Sequence, residues 1–586
     1  MGTEESIGSI LAIDCGTVKT KAVLLDRVGG AYRFVARGEV LTTADAPWYD
    51  IAIGAQHAIA QIEEVTGRSF LDQTGHIATP EREGVGIDAV IVLSSAAAPL
   101  KVLLAGLVPD MSLASARRAA EGTYSSIVGT ISQNPAVGWL SVEDQVRLIS
   151  DSHPEVVCIT GGVDDGATLP ILQIIEATAL GCSMVSEESR PKVLFAGNKA
   201  LRKKTVKVLG ERTEVRSTDN VRPEPTGENL HALRSELEAI YTSQKLQLLP
   251  GGDMLEQWST LPITPTAKAF SQLIQYIWHL DEFDKGTLGL DIGAVHTSVA
   301  AVFDGELHLT IHSDYGTAFS GRRLLEENPK AILRWVPTGI ELEQAQAILI
   351  NKETRPWTVP QEPEELWLEQ AVTREVIRKA IKAANAGWQA NSVQRYPNLI
   401  PMFDPILLTG GAIAGAPRPG QAALIALDAI QPIGISTLLL DRYGLAPMLG
   451  GIARLKPLAT VETLDSGSIV NLATVVTPVG VAREGDIILR VSIEYEEGGS
   501  LEVEVSLGSL EVLPLPPGQE AVLELHPVKR HRFDVGLGGP GKGGRRRVRG
   551  GLAGLIIDAR GRPLRLPDNP EECQAKVQQW LWDVGG

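Results

Sequence analysis

The sequence predicts an α/β protein with an inserted α/β segment and a C-terminal antiparallel β region. A strand–turn–strand motif near residue 11 recurs near residue 288. Apolar strand-like runs alternate with helical stretches around both copies and in the segment between them, which is typical of α/β folds. After residue 460 the pattern changes to short strands separated by glycine and proline, which indicates an antiparallel barrel or sandwich.

The repeated motif is an apolar strand, Asp-x-Gly, small or hydroxylated residues and a second apolar strand. Its copies read Leu11-Ala-Ile-Asp14-Cys-Gly16-Thr17 and Leu288-Gly-Leu-Asp291-Ile-Gly293-Ala294. Small residues at a turn let a phosphate oxygen reach backbone N–H groups. A carboxylate does not bond phosphate directly, so Asp14 and Asp291 predict a Mg²⁺ ion held through water. One such turn can be a simple tight turn, but two copies favour a shared cleft for a metal nucleotide.

The residues of the predicted site fall into a group that binds the metal ion and a group that binds phosphate. Asp14 and Asp291 are the expected catalytic and water-mediated metal residues. The expected phosphate-binding residues are Gly16, Thr17, Thr20, Lys21, Gly293 and Thr297. A third element, the apolar run 406–409, ends in Gly410 and Gly411, which suit the close approach of a flat adenosine. The predicted cofactors are therefore ATP and Mg²⁺.

The order of these elements resembles the actin-like ATPase superfamily, which includes sugar kinases, acetate kinase and heat-shock chaperones. The resemblance implies two ribonuclease-H-like lobes with MgATP in the cleft between them. Combined with the residue patterns, it divides the chain into a first ATPase lobe at 1–95, an inserted α/β subdomain with return helices at 96–285, a second lobe at 286–460 and a β-rich domain at 461–586.

A closer resemblance, to the glutamate mutase L family, covers most of the first 460 residues. It is carried by segments such as Ile159-Thr-Gly-Gly-Val-Asp164-Asp-Gly166, and by residues 93–98, 106–111, 193–198, 220–226 and 263–266 in the same order. The resemblance implies an ATP-driven reactivating or assembly chaperone. Its implied partner is an adenosylcobalamin-dependent carbon-skeleton mutase of the glutamate mutase type.

The second motif departs from that family's pattern, and two of the changes bear on the predicted site. Ala294 stands where the family has glycine, and Ser298 stands where it has a closing acid. The extra methyl group lies near the expected phosphate, and a carboxylate that could order metal or water is lost. We expect nucleotide binding with slow hydrolysis. A scaffold without turnover and a small-molecule kinase of the same fold stay open as alternatives.

Composition and charge limit the function classes. The net charge of −17 argues against nucleic-acid binding, because phosphate backbones repel an acidic surface. The four cysteines lack C-x-x-C spacing and suggest neither a zinc site nor a disulfide framework. The start of the sequence has no apolar signal region, and no apolar run approaches the about 20 residues of a membrane span. We therefore expect a cytoplasmic protein without membrane contact.

One basic cluster interrupts the acidic composition. It comprises residues 529–532 and 542–549, separated by a glycine-rich stretch. Such a local reversal of charge could dock an acidic partner, although a solvated loop has the same appearance. The sequence favours a protein partner over nucleic acid, because aromatic residues are not interleaved with the basic ones.

Overall fold

The computed structural model describes residues 7–134, 138–280, 285–388, 396–530 and 532–585. The chain forms two compact units. The larger unit comprises residues 1–96, 250–309 and 314–586, and the smaller comprises 97–249 with 310–313. None of the described helices combines the length and apolar character needed to cross a bilayer.

The strands alternate with helices in the first half of the chain and dominate after residue 470. In chain order they are β1 Ser9–Cys15, β2 Lys19–Val28, β3 Ala31–Leu41, β4 Ala89–Ser94, β5 Leu100–Gly106, β6 Ser125–Asn134, β7 Gly138–Trp139, β8 Val156–Ile159, β9 Lys192–Phe195, β10 Val215–Ser217, β11 Thr264–Pro265, β12 Gly286–Ile292, β13 Thr297–Phe303, β14 Glu306–His312, β15 Phe403–Thr409, β16 Gly434–Leu440, β17 Val470–Thr477, β18 Ile487–Tyr495, β19 Ser500–Ser506, β20 Leu510–Leu513, β21 Glu520–Pro527, β22 Gly544–Arg549 and β23 Leu555–Asp558.

The helices are interspersed with the strands from residue 51 to residue 583. In chain order they are α1 Ile51–Thr66, α2 Ala114–Glu121, α3 Val142–Ser152, α4 Leu169–Met184, α5 Arg202–Leu209, α6 His231–Tyr241, α7 Gly252–Trp258, α8 Thr266–Leu280, α9 Gly321–Glu327, α10 Pro329–Leu333, α11 Leu342–Thr354, α12 Pro363–Trp388, α13 Gly411–Ala414, α14 Pro419–Ile430, α15 Ala446–Ala453, α16 Pro457–Asp465 and α17 Pro570–Asp583.

The larger unit contains the same strand arrangement twice. Its first sheet has the order β11-β4-β1-β2-β3, with β2 antiparallel to β1 and β4 parallel to it. Its second sheet begins β14-β13-β12-β15-β16, with β13 antiparallel to β12 and β15 parallel to it. In each case a meander is followed by parallel strands added beside its first strand. These are the two ribonuclease-H-like lobes of an actin-type ATPase fold, as predicted.

The second lobe's sheet continues into the C-terminal region. After β16 the order runs β17-β23-β20. A separate antiparallel sheet, β19-β18-β21-β22, packs over this extension through apolar side chains that include Val476, Leu523 and Leu555. The region is therefore a sandwich of two sheets and not a closed barrel. The short strands predicted after residue 460 are confirmed, for example by β17, β19 and β21.

A buried network of charged side chains fastens the C-terminal region to the second lobe. Asp428 of α14 accepts hydrogen bonds from Arg374 of α12 and from Arg560, each at 2.8 Å. Asp558 accepts from Arg560 at 2.8 Å and from Arg562 at 2.7 Å. All five side chains are at most 3% exposed. Removing one member therefore leaves an uncompensated buried charge.

The smaller unit is a parallel α/β sheet, in agreement with the sequence. Its order is β10-β9-β8-β5-β6-β7, and all strands except β7 run parallel. The loop after β8 is held as an acidic turn: Gly162 has φ +68° and Asp165 has φ +64°. Asp164 accepts from the backbone N–H of Lys199 at 3.0 Å and from Asn220 at 3.1 Å.

Three of the four arginines in the basic cluster predicted at 542–549 are paired with acids of their own sheet. In β22, Arg545, Arg547 and Arg549 alternate along one face of the antiparallel sheet. Arg545 pairs with Glu494 at 2.5 Å, and both Arg547 and Arg549 pair with Glu520, at 2.6 and 3.2 Å. These cross-strand pairs neutralise the arginines within their own sheet. In the other half of the cluster, residue 531 lies outside the described residues.

Candidate functional site

The first hairpin joins β1 to β2 through a tight turn that only glycine fits. The N–H of Gly16 donates to the carbonyl of Lys19 at 3.0 Å. A Cβ atom at position 16 would lie 2.7 Å from the same carbonyl oxygen, closer than side chains are found. The glycine is therefore required by a close backbone approach, and it opens the turn to solvent.

The second hairpin repeats this geometry between β12 and β13. The N–H of Gly293 donates to the carbonyl of His296 at 2.9 Å, and a Cβ atom there would lie 2.8 Å from that oxygen. The strand registers also match, because Asp14 faces Lys21 across the first hairpin and Asp291 faces Ser298 across the second. The two sequence copies are thus two copies of one structure.

Backbone N–H groups stand open at the tip of each turn. Within the described residues, those of Thr17 and Val18 in the first hairpin have no hydrogen-bond acceptor, and neither do those of Ala294 and Val295 in the second. Two adjacent N–H groups without a protein acceptor are the donors that an anion needs. The open donors therefore occupy equivalent positions in the two hairpins.

Two carboxylates end the strands that lead into the turns. Burial raises the pKa of Asp291 to about 7; the Lys21 ammonium opposes the shift, and the Asp14 and Asp441 carboxylates add to it. Burial also raises the pKa of Asp14, against the effects of Lys21 and of Thr266, whose hydroxyl donates to Asp14 at 2.7 Å. Lys21 faces Asp14 across the first hairpin, and the three charges lie near enough to influence one another.

This cluster fits a hydrated divalent cation. Two acids that are costly to ionise where they lie would be stabilised in the charged form by a nearby positive ion. Among the described residues, no three acidic, histidine or cysteine side chains are placed to hold a metal directly. The residues present therefore suit Mg²⁺, which keeps several waters and is held by one or two carboxylates together with phosphate.

Asp441 was missed by the sequence analysis. It follows β16 and is fully buried. Its carboxylate accepts from the N–H groups of Leu445 at 2.9 Å and Ala446 at 2.7 Å, at the start of α15, and from the hydroxyl of Thr409 at 3.0 Å. The available signal was the same as for Asp14, an apolar strand that ends in aspartate. Its lone pairs are used by the protein, so it positions α15 and the end of β15.

The threonine hydroxyls of the predicted site are not free to bind phosphate. Thr20 and Thr297 are fully buried, and they pair in register with Cys15 and Ile292. Successive side chains of a strand point to opposite faces, so these hydroxyls point away from the face that carries Asp14 and Asp291. Thr17 lies at the turn, but its hydroxyl donates to the carbonyl of Ser95 at 3.0 Å. The structure therefore does not bring these hydroxyls to the site as free phosphate donors.

The two glycines after β15 differ in their surroundings. Gly410 has φ +114°, and a Cβ atom there would lie 2.1 Å from the carbonyl oxygen of Ile292. Its lack of a side chain lets β15 end directly against the second hairpin. Gly411 faces open space, with no atom within 4 Å of its Cβ position. Gly411 is therefore the residue whose accessible backbone face could meet a ligand.

Lys21 extends from the first lobe to a loop of the second. A Cβ atom at Gly444, which has φ +70°, would lie 2.6 Å from the Lys21 Nζ atom. Within the described residues, Lys21 has no hydrogen-bond acceptor and no acid within 4.0 Å. Among the described residues the ammonium thus has no direct ion pair, which leaves its three N–H donors available to an anion.

Ala294 and Ser298 keep the shape of the second hairpin. The carbonyl of Ala294 accepts from the N–H groups of Ala318 at 3.0 Å and Phe319 at 3.2 Å. Ser298 is 3% exposed and faces Asp291 in the strand register, where Lys21 faces Asp14 in the first lobe. The second hairpin therefore offers a neutral residue at the position where the first offers a cation.

Comparison with known proteins assigns the chain to a family. A family model described as MutL protein matches residues 10–467. The chain belongs to the MutL protein family. The match spans both lobes and the inserted unit, as the sequence resemblance predicted. A curated relative, Protein MutL from Clostridium tetanomorphum, is 23% identical over 303 residues, which cover 50% of this chain and 58% of that protein. The chain thus matches little more than half the length of this relative.

Solved structures with a related arrangement are distant. A nucleotide-free acetone carboxylase is 12% identical, with 85% of this chain and 81% of that chain covered and a TM-score of 0.35. Component A of (R)-2-hydroxyglutaryl-CoA dehydratase from Acidaminococcus fermentans is 9% identical, with 77% and 99% covered and a TM-score of 0.26. Gluconate kinase from Lactobacillus acidophilus is 10% identical, with 79% and 92% covered and a TM-score of 0.29. These likenesses carry no inference about function.

Proposed function

We propose that this MutL family member binds MgATP between its two lobes and acts as a reactivating or assembly chaperone for an adenosylcobalamin-dependent carbon-skeleton mutase. The observation that carries the nucleotide part is the pair of matched hairpins, each with an aspartate at its base and two open N–H groups at its tip. The mutase part rests on the family alone.

The chain's own residues divide the work of holding the nucleotide. The open N–H groups of Thr17 and Val18 in one lobe, and of Ala294 and Val295 in the other, donate to phosphate oxygens. Lys21 neutralises phosphate charge from the first lobe. The backbone around Gly410 and Gly411 meets the adenosine. A hydrated Mg²⁺ would neutralise phosphate charge and keep Asp14 and Asp291 ionised.

Binding of ATP does not imply its hydrolysis. One observation favours a non-catalytic scaffold as the second candidate function. The pattern described for the family places an acid at the position of Ser298, but here a buried hydroxyl faces Asp291. With Asp441 committed to capping α15, Asp14 and Asp291 are the remaining acids of the cluster that could order an attacking water. Slow phosphate release supports the chaperone with turnover, and its complete absence supports the scaffold.

The nucleotide part is tested by thermal unfolding with and without MgATP. A ligand at a hundredfold excess over its Kd stabilises the folded state by about 2.7 kcal/mol. We expect a clear rise in Tm for the wild type and none for the double variant Asp14→Asn, Asp291→Asn. The matched control is Asp45→Asn, which removes an exposed acid of the same lobe and should keep the rise. Equal rises in all three proteins would refute the assignment of the site.

The mutase part is tested by reactivation. An inactivated glutamate mutase is incubated with adenosylcobalamin, MgATP and either the wild type or the double aspartate variant. Recovery of mutase activity with the wild type alone is expected. If the wild type binds MgATP but restores no activity, the chaperone function is wrong while the nucleotide site stands.

A further inference from the structure

The outer face of α5 in the smaller unit is strongly basic. Thr205 and Leu209 are fully buried and fix the orientation of this eight-residue helix. Lys203, Lys204, Val206 and Lys207 are left exposed, and we call these four residues the α5 basic face. Val206 is 47% exposed, so one apolar side chain borders the three cations.

The lysines of this face differ from the cations next to them. Lys199 pairs with Asp165 at 3.3 Å, and Arg202 pairs with Asp219 at 3.0 Å. By contrast, no acid of the described chain lies within 4.0 Å of Lys203, Lys204 or Lys207. The positive charge of the face is therefore not balanced locally.

The arrangement opposes the stability of its own helix. Lys203 and Lys207 are four residues apart and Lys204 and Lys207 are three apart, so like charges lie side by side on the helix surface. A local pattern that destabilises the folded state, with no compensating contact in the structure, is typical of a functional surface.

The rest of the protein makes this face distinctive. The chain carries a net charge of −17. In the other conspicuous group of cations, on β22, three of the four arginines are paired with glutamates of their own sheet. An unbalanced basic face on an acidic protein orients an approaching partner by charge complementarity.

We propose that the α5 basic face docks an acidic surface of a protein partner. Exposed Val206 lies at the edge of the three cations and adds an apolar contact to a charged one, which suits a protein surface better than a phosphate backbone. The helix is only about 12 Å long at 1.5 Å per residue, which suits a local contact. A nucleic acid would meet repulsion from the acidic remainder of the chain.

This inference rests on the proposed accessory function only in requiring a protein partner, and it is independent of the nucleotide site. The test variant carries Lys203→Glu, Lys204→Glu and Lys207→Glu. The matched control makes the same change in net charge at three dispersed exposed positions of the larger unit, with Lys330→Glu, Lys382→Glu and Lys542→Glu. Both full-length variants are first tested for the MgATP-induced rise in Tm, which each should keep if the wild type shows it.

Binding is measured by fluorescence anisotropy at low salt. The probes are a labelled twelve-residue peptide of glutamate and leucine, a single-stranded oligonucleotide of equal charge and inorganic triphosphate. We expect the peptide to bind the wild type and the control alike, and to bind the α5 variant about tenfold more weakly or worse. Val206→Ser, which keeps all charges, should weaken peptide binding but not oligonucleotide binding.

Three results would overturn the proposal. The first is no peptide binding to the wild type. The second is an equal loss in the control variant, which would show a dependence on net charge alone. The third is tighter binding of the oligonucleotide or triphosphate that is lost in the α5 variant, which would assign the face to a phosphate-bearing ligand.

Discussion

The adjacent glycines at the end of β15 allow a sharp test of the site geometry. Gly410→Ala introduces a methyl group whose carbon would lie 2.1 Å from the carbonyl oxygen of Ile292. Real Cβ contacts below 3.0 Å are essentially unknown, so β15 and the second hairpin must separate by about 0.9 Å. Gly411→Ala is the matched control, because the same atom added one residue later meets nothing within 4 Å.

The expected cost has two sources. Holding alanine at positive φ costs about 1–2 kcal/mol, and forcing a methyl group into a packed position costs about 1–3 kcal/mol. Gly410→Ala should therefore lower the free energy of unfolding by about 2–5 kcal/mol. At about 2 °C per kcal/mol, the lower end for domains of 150–250 residues, Tm should fall by about 4–10 °C. Gly411→Ala should leave Tm within about 1 °C of the wild type.

The assay is thermal unfolding followed by circular dichroism, with and without MgATP. Gly411→Ala should melt like the wild type without nucleotide but show a smaller MgATP-induced rise, since its methyl group occupies the surface assigned to adenosine. The reasoning is refuted if Gly410→Ala melts with the wild type, or if both variants lose equal stability without nucleotide. If Gly411→Ala shows the same MgATP-induced rise in Tm as the wild type, the placement of the adenosine at this glycine is wrong.

Three further predictions follow from the same structure. Because the folded pKa of Asp291 is raised to about 7, the folded state binds the extra proton between pH 4 and 7, and stability should fall as pH rises through this window. Asp291→Asn should flatten this part of the Tm–pH curve; an unchanged curve contradicts the assignment. Asp558→Asn should cost about 3–5 kcal/mol in urea unfolding, as expected for a broken buried ion pair. Burial alone would raise the pKa of Asp558, but Arg560 and Arg562 hold this pKa well below its ordinary value. The stabilisation by the Asp558 carboxylate is therefore present above about pH 4 and is lost as the pH falls. Acid-unfolding curves of the wild type and the variant that run parallel would contradict this prediction. Gly16→Ala and Gly293→Ala should weaken MgATP binding in calorimetry by similar factors, since each places a Cβ atom within 2.8 Å of a turn carbonyl; a loss confined to one would show that the two turns are not equivalent.

The features that could be predicted from the sequence are those that depend on the local pattern of residues. Asp14 and Asp291 could be placed because each follows an apolar strand and precedes a glycine turn. Thr20 could not be placed, because its face depends on the register of the hairpin, and a shift of one residue reverses every side chain. The actual register pairs Asp14 with Lys21, which turns Thr20 towards the core.

The pairing of strands that are distant in sequence could not be predicted either. The strands after residue 470 were recognisable from their alternation, but their partners were not. That β17 and β23 extend the second lobe's sheet depends on contacts across more than 30 residues of chain. The same limit applied to the arginines of β22, whose balancing glutamates lie on β18 and β21 and are neighbours only in the folded sheet.

The two carboxylates of the site are each linked to a helix that joins the lobes. Thr266, whose hydroxyl donates to Asp14, is the first residue of α8, which leads from the first lobe to the second. Asp441, which raises the pKa of Asp291, caps the start of α15. The two helices pack so closely that a Cβ atom at Gly450 of α15 would lie 1.8 Å from the carbonyl of Ala269 in α8.

Close packing of this kind does not deform smoothly, because packed interiors have few voids to absorb a shift. We therefore expect a change of charge or ligand between Asp14 and Asp291 to act on the starts of both helices together. If MgATP binds as proposed, its arrival and release are communicated to the lobes through this crossing, without a separate relay. Gly450→Ala tests this step: its methyl group must push α15 away from α8 and so should alter the difference in protease sensitivity between the nucleotide-free and MgATP-bound protein. An unaltered difference would remove the crossing from the mechanism.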